Sequence, residues 1–172
     1  MRILGLDPGS QRTGYGFVVQ RGGELHWLAS GTLRPPRQAA LPDRLLDLYR
    51  QLRDLLATTR PDLAAIEASF VGRHAHSALV LGQARGALIV ATLDAGIPLC
   101  EYAPRKIKLA VTGLGGANKG QVHAMVRSIL RAAPETMTHD EADALAVAIC
   151  HAHRLRGLES ARPRRVNLVR GT

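Results

Sequence analysis

Asp7, Glu67, Asp140 and Asp143 are the residues of this 172-residue chain whose types and spacing could carry a reaction. Four converging carboxylates could hold two Mg²⁺ ions about 4 Å apart, which activate a water and stabilise the leaving oxygen when a phosphodiester is hydrolysed. Mg²⁺ takes oxygen ligands in octahedral geometry and keeps several waters, so only a few acids on rigid elements are needed. Asp7 closes the apolar run Ile3–Leu6, and Glu67 closes Leu63–Ile66, so each ends an expected strand. Asp140 and Asp143 are three apart on an expected helix and share a face. They lie in its first turns, where the helix dipole favours negative charge. Each acid also has an ordinary alternative. Asp7 before Pro8-Gly9 could start a turn, Glu67 could be a solvated strand end, and Asp140 could answer the dipole alone. Asp143 sits beside Ala142, Ala144 and Leu145 and is less easily explained that way. Glu141 reads as the capping-box partner of Thr138 and is left out of the site.

The elements that must position these acids follow from periodicity. Ile3–Leu6, Gly14–Gln20 and Leu25–Leu33 are joined by turn signals, including Gly22-Gly23, and predict an antiparallel meander. Pro35-Pro36 marks a loop. Apolar residues at 45, 46, 48, 49, 52, 55 and 56 predict an amphipathic helix over Leu41–Thr58. Leu63–Ile66 reads as a buried strand, and Val71–His76 as a polar loop. Ser77–Ala95 reads as a long apolar helix carrying Gly82 and Gly86, four apart, for close packing inside the chain or between subunits. Ile97–Tyr102 is a fifth strand. Pro104 opens a short helix to Thr112, Gly113–Gly120 is a loop, and Gln121–Ala132 is a helix ended by Pro134. The last helix opens at Thr138-His139-Asp140-Glu141 and runs to about Leu155. A meander followed by strand–helix alternation predicts an α/β sheet of mixed direction, flanked by helices. Residues 1–156 form the expected domain, and residues 157–172 a basic tail.

The formal net charge is +9, which points to a polyanionic partner. Arg105, Lys106, Lys108, Lys119, Arg127 and Arg131 occur between Tyr102 and Pro134 with no acid among them. Six arginines against Glu159 follow from Arg154 onward. Solvated basic faces are the plain alternative to a surface that tracks phosphates. Met1 leads directly into a strand-like run, so no signal peptide is expected. No apolar stretch is expected to reach the ~18 residues of a membrane span. A cytoplasmic protein with no membrane contact, and with Cys100 and Cys150 as free thiols, is the resulting expectation.

Two other constellations fail on spacing. Asn118-Lys119-Gly120 lacks the Gly before and the Ser or Thr after the lysine that a nucleotide-binding loop needs. Cys150, His151 and His153 share one helix, where near neighbours face different ways and could not easily grip one zinc.

Several segments together resemble the RuvC family of bacterial Holliday junction resolvases. They are Leu4-Gly5-Leu6-Asp7-Pro8-Gly9-Ser10, Thr13-Gly14-Tyr15-Gly16, and Ile66-Glu67 followed by Phe70. Ser77-Ala78-Leu79 through Leu81-Gly82-Gln83-Ala84-Arg85-Gly86, Tyr102-Ala103-Pro104-Arg105 with Lys108, and Asp140-Glu141-Ala142-Asp143-Ala144-Leu145-Ala146 complete the set. The resemblance implies an RNase H-like fold with a five-stranded mixed sheet flanked by helices. It implies a homodimer that nicks a four-way DNA junction symmetrically with Mg²⁺ or Mn²⁺, two ions per site, in recombination and repair. By position it implies Asp7, Glu67, Asp140 and Asp143 as the catalytic, metal-holding acids. Lys108 and Lys119 would support DNA binding and catalysis, and Phe70 would stack on bases at the junction centre. Arg105 and Lys106, in the same basic stretch, are further expected DNA contacts. A branch-migration motor is an implied partner. His139 is an outside candidate for a metal or water contact, and Arg73, His74 and His76 receive no role. Two other classes compete: a junction-binding architectural protein without turnover, against which the four intact acids speak, and an actin-like phosphotransferase, for whose two-domain architecture the chain is too short.

Overall fold

The computed structural model describes residues 1–9, 11–68 and 75–161. Phe70, Arg73 and His74 lie outside the described residues. Five strands form one sheet: β1 (Arg2–Asp7), β2 (Thr13–Arg21), β3 (Glu24–Leu33), β4 (Leu63–Glu67) and β5 (Leu99–Tyr102). Their spatial order is β3-β2-β1-β4-β5. β1 pairs antiparallel with β2, and β2 with β3, whereas β1–β4 and β4–β5 are parallel. The sheet is therefore mixed, as the meander and the later alternation require. Among the described residues five helices cover it: α1 (Leu41–Thr59), α2 (Ala75–Asp94), α3 (Pro104–Thr112), α4 (Lys119–Ile129) and α5 (His139–Ala161).

Strand alternation divides the core in two. Ile3, Val18 and Ala65 face α3, α4 and α5, where they meet Ile107, Val126 and Leu145. Leu4, Leu6, Phe17 and Ile66 face the other way, onto Leu48 and Leu52 of α1 and Leu88 of α2. With so few aromatics, the core is built from aliphatic side chains and alanine.

Small residues set how closely α5 can approach. Gly5 of β1 pairs across the ladder with Gly16 of β2, and Asp7 with Gly14. A Cβ on Gly5 would lie 2.0 Å from the Ala144 carbonyl oxygen, and one on Gly14 would lie 2.1 Å from the Asp140 carbonyl oxygen. One on Gly16 would meet Leu145 Cγ at 2.5 Å. The helix backbone thus rests directly on Gly5 and Gly14, and the Leu145 side chain on Gly16. On the helix side Ala144 and Ala148, which meet these glycines, are buried and add little thickness.

Four expectations need correction. Lys119 and Gly120 belong to α4 rather than to the preceding loop. Asn118 and Gln121 form a capping box there, a start signal that the expected glycine-rich loop concealed. The same helix ends at Ile129, before Pro134, because Arg131 leaves it to bridge to His26 of β3. α5 continues past Gly157 to Ala161, beyond the expected end near Leu155. Finally, α2 is long and apolar enough by length and composition to cross a membrane. It lies against the sheet through Ala84, Leu88, Ala91 and Thr92, and Arg85 within it pairs with Glu101. Among the described residues nothing packs on Gly82 or Gly86, since a Cβ on either would meet nothing within 4 Å.

The contact between α5 and the glycines yields a test. Gly5→Ala should destabilise the fold by about 1–3 kcal/mol, the usual cost of overpacking. A urea unfolding curve would read this as a lower midpoint, and an unchanged midpoint would mean that α5 can lift off the sheet freely.

Candidate active site

The parallel pair β1–β4 brings two acids to one edge of the sheet. Register matches Leu6 with Ile66, so Asp7 and Glu67 leave the ladder side by side. β4 is held at this end by Ala68, whose N–H donates to the Tyr102 carbonyl at 2.9 Å. Arg85 of α2 also donates to the Glu67 carbonyl at 3.4 Å while pairing with Glu101 of β5. The other two acids arrive on α5. Its first turn is fixed by Thr138, whose Oγ1 accepts from the Glu141 N–H at 3.3 Å and donates to the Glu141 carboxylate at 2.9 Å. Glu141 also accepts from Ser30 Oγ at 2.7 Å. It ties the helix start to β3 and acts as a cap, as its spacing suggested. Asp140 and Asp143 then fall on the side facing Asp7.

Asp7, Glu67 and Asp143 line a cavity of about 170 Å³ together with Lys108 and Lys119. Asp140 stands on the far side of Asp7, where both line a second depression. Asp7 feels the other three acids. Burial pushes the Asp7 carboxyl up to about 7, with repulsion from Glu67, Asp143 and Asp140 adding to it and Lys119 opposing. Glu67 is raised as well, first by burial and then by Asp143, against Lys108 and Lys119. Two acids are engaged by cations: Asp140 by Arg12 Nε at 2.5 Å, and Asp143 by Lys119 Nζ at 3.5 Å. Among the described residues no three His, Cys, Asp or Glu side chains come together tightly enough to form a ready metal cluster. Two of these acids point at Arg12 and Lys119 instead of at each other.

The donor set still suits a hard divalent ion. All four candidates are carboxylates, and among the described residues no thiolate or imidazole shares the cavity. Mutual repulsion between part-buried acids is the condition that a cation relieves.

Not every expected residue is brought to this place. Arg105 and Lys106 sit exposed on α3 and do not line the cavity. His139 packs edge-on against His123, with ring centroids 5.3 Å apart. His76 is exposed on α2. Tyr102 and His151 Nδ1 share a hydrogen bond of 2.7 Å, while His153 Nδ1 meets the Ala110 carbonyl at 3.0 Å. Burial raises Cys150 to about 11, which makes it a poor metal ligand and a poor nucleophile. The residue that sequence reading missed is Arg12. Its nearness to Asp140 depends on the tight return after β1, where a Cβ on Gly9 would lie 2.3 Å from the Arg12 carbonyl oxygen.

The chain is similar to known proteins in sequence and in fold. Residues 3–151 match the family model described as crossover junction endodeoxyribonuclease RuvC. The RuvC of Alkalilimnicola ehrlichii is 52% identical over 152 residues, covering 88% of this chain and 91% of that protein. The RuvC of Halorhodospira halophila is 51% identical over 152 residues, covering 88% and 90%. Among solved structures, T. thermophilus RuvC in complex with a Holliday junction substrate superposes with a TM-score of 0.84 at 33% identity, covering 91% of this chain and 96% of that one. The yeast mitochondrial Holliday junction resolvase Ydc2 shares the fold, with a TM-score of 0.69 at 16% identity over 93% of this chain and 82% of that one.

The raised Asp7 carboxyl makes a prediction about stability. Its value is about 7 in the fold against 3.8 ordinarily. The proton therefore favours the folded state below about pH 4, and that benefit is lost as pH rises through about 7. In a chelating buffer at about pH 8, Asp7→Asn should stabilise the protein, by on the order of 2 kcal/mol, and by clearly less at about pH 5. Thermal melts at the two pH values check this, and equal gains at both would contradict it.

Proposed function

The chain belongs to the RuvC family, the crossover junction endodeoxyribonucleases, and on that premise we propose that it resolves four-way DNA junctions by symmetric paired nicks at a site formed by Asp7, Glu67, Asp140 and Asp143. The observation that carries the reading is the convergence of these acids, from two strand ends and one helix face, on the wall around Asp7. Two Mg²⁺ ions, or Mn²⁺ in their place, would be held by the four carboxylates and would supply an activated water and a stabilised leaving oxygen.

The chain's own residues do the rest. Asp7 lines both depressions and is the acid best placed to serve both ions. Glu67 and Asp143 serve the lysine side, and Asp140 the arginine side. Lys108 and Lys119 face the cavity as fixed cations that can neutralise charge developing on a phosphate oxygen. Phe70, Arg105 and Lys106 belong to the proposal as DNA contacts, Arg105 and Lys106 around the site rather than within it. Residues 157–172 are proposed to add basic charge after the nuclease domain.

A junction has two equivalent cleavage positions, which a two-fold symmetric homodimer would match. Support comes from the outward face of α2, where Leu79, Val90 and Leu93 are 62%, 58% and 56% exposed. Gly82 and Gly86 lie open on the same helix, so a second helix could approach closely. A branch-migration motor is the further partner this family membership suggests, and action on chromosomal junctions suggests the cytoplasm.

Incubation with a mobile synthetic junction and Mg²⁺ should give paired symmetric nicks. Asp7→Asn should lower cutting at least about a thousandfold while binding persists. Loss of binding together with cutting would mean that Asp7 is structural. Val90→Glu should shift the sedimentation of the purified protein from dimer to monomer, and an unchanged dimer would move the interface away from α2.

A further inference from the structure

Asp7 is a wall shared by two depressions that differ in their cations. On one side stand Lys108 and Lys119. On the other, a depression of about 320 Å³ runs past Asp140 to Gln11, Arg12 and Arg37. It continues into a further depression of about 250 Å³ lined by Gln11, Arg12, Arg34, Pro35 and Arg37, with no acid among them. Gln11, Arg12 and Arg37 line both, so the two form one channel leading away from the carboxylates. Arg12 engages Asp140 at the inner end through Nε. Arg34 and Arg37 stand exposed at the outer end, and neither side chain takes part in an ion pair among the described residues.

The backbone carrying these arginines is fixed. Arg34 follows directly on β3, and its N–H donates to Gln51 Oε1 of α1 at 3.1 Å. Pro35 is buried, and Pro35-Pro36 limits the backbone between the two arginines. The Ala39 N–H donates to the Pro36 carbonyl at 3.3 Å and closes the turn. Two guanidinium groups are thus held on a stiff loop at the acid-free outer end of a channel that leads to the cleavage carboxylates. Guanidinium is the side chain that grips phosphate in bidentate fashion, and preorganisation lowers the entropy lost on doing so.

We propose that Arg34 and Arg37 form a phosphate-binding subsite for the DNA strand being cut, on the side of the scissile phosphate opposite to Lys108 and Lys119. The strand would cross Asp7 with its backbone held by lysines behind it and arginines ahead of it. Arg12 joins the two regions, touching an acid of the site and lining the channel. The inference rests on the reading of the carboxylates as a DNA-cleaving site.

The test is equilibrium binding of a fluorescent four-way junction in EDTA, measured across a KCl series from about 50 to about 300 mM. Arg34→Gln with Arg37→Gln should weaken binding about tenfold near 100 mM and reduce the slope of log affinity against log salt by about 1.8, since each lost phosphate contact removes about 0.9. Arg34→Lys with Arg37→Lys keeps the charge and should recover most of the slope. Arg21→Gln with Arg50→Gln removes the same charge from exposed positions outside the channel, and should change the slope much less. Equal losses in both glutamine pairs would reduce the effect to net charge and overturn the subsite. So would an unchanged slope in the Arg34–Arg37 pair while the wild-type protein binds and cuts. If the wild-type protein fails to bind any junction, the cleavage reading falls and the subsite falls with it.

Discussion

The contact between the backbone of α5 and the glycines of β1 and β2 is the constraint on which the site depends. Two of the four acids ride on a helix and two on strands, so their meeting requires helix and sheet to touch without side chains between them. Gly5 and Gly14 remove the spacers on the sheet, Gly16 leaves room for Leu145, and Ala144 and Ala148 add little bulk on the helix face that meets them. Gly14 lies opposite Asp7 in the ladder and beneath the Asp140 carbonyl. One missing side chain therefore ties a strand acid to a helix acid. The close approach also gains the dispersion contacts of a dense interior, so stability and placement of the site share one origin.

That placement has an electrostatic cost. Burial and mutual repulsion raise Asp7 and Glu67 above the usual carboxylate range. The protein meets part of the cost with fixed cations: Lys119 on Asp143, Arg12 on Asp140, and Lys108 facing Glu67. The same cations surround the path of any phosphate that reaches the carboxylates. The positive charge of the chain is thus partly an answer to its own acids and partly an attraction for a polyanion.

Much of this was legible in the sequence because it follows from local rules. Strand ends at Asp7 and Glu67 came from apolar runs, and the shared helix face of Asp140 and Asp143 came from a three-residue spacing. Glu141 as a cap followed from Thr138. The start of α4 was hidden because Asn118 and Gln121 sit behind three glycines that read as loop. Overlooking that cap left Lys119 in a loop, when it begins a helix whose fixed start holds the lysine near Asp143. Arg12 and Arg37 could not be found by pattern at all, since they meet only after β1, β3 and α5 are packed. The apolar length of α2 was underestimated because alanine, glycine and threonine dilute its hydropathy without adding charge. The purpose of Gly82 and Gly86 stayed open for a different reason: periodicity cannot tell a face covered by the same chain from one covered by another.

The proposed metal site depends above all on the packing of α5 on the sheet glycines, which brings four separated acids together. Anomalous diffraction from crystals grown with Mn²⁺ tests this most directly. The account predicts two peaks about 4 Å apart, bounded by Asp7, Glu67, Asp140 and Asp143. Manganese bound elsewhere, or ligated without the two α5 acids, would contradict it.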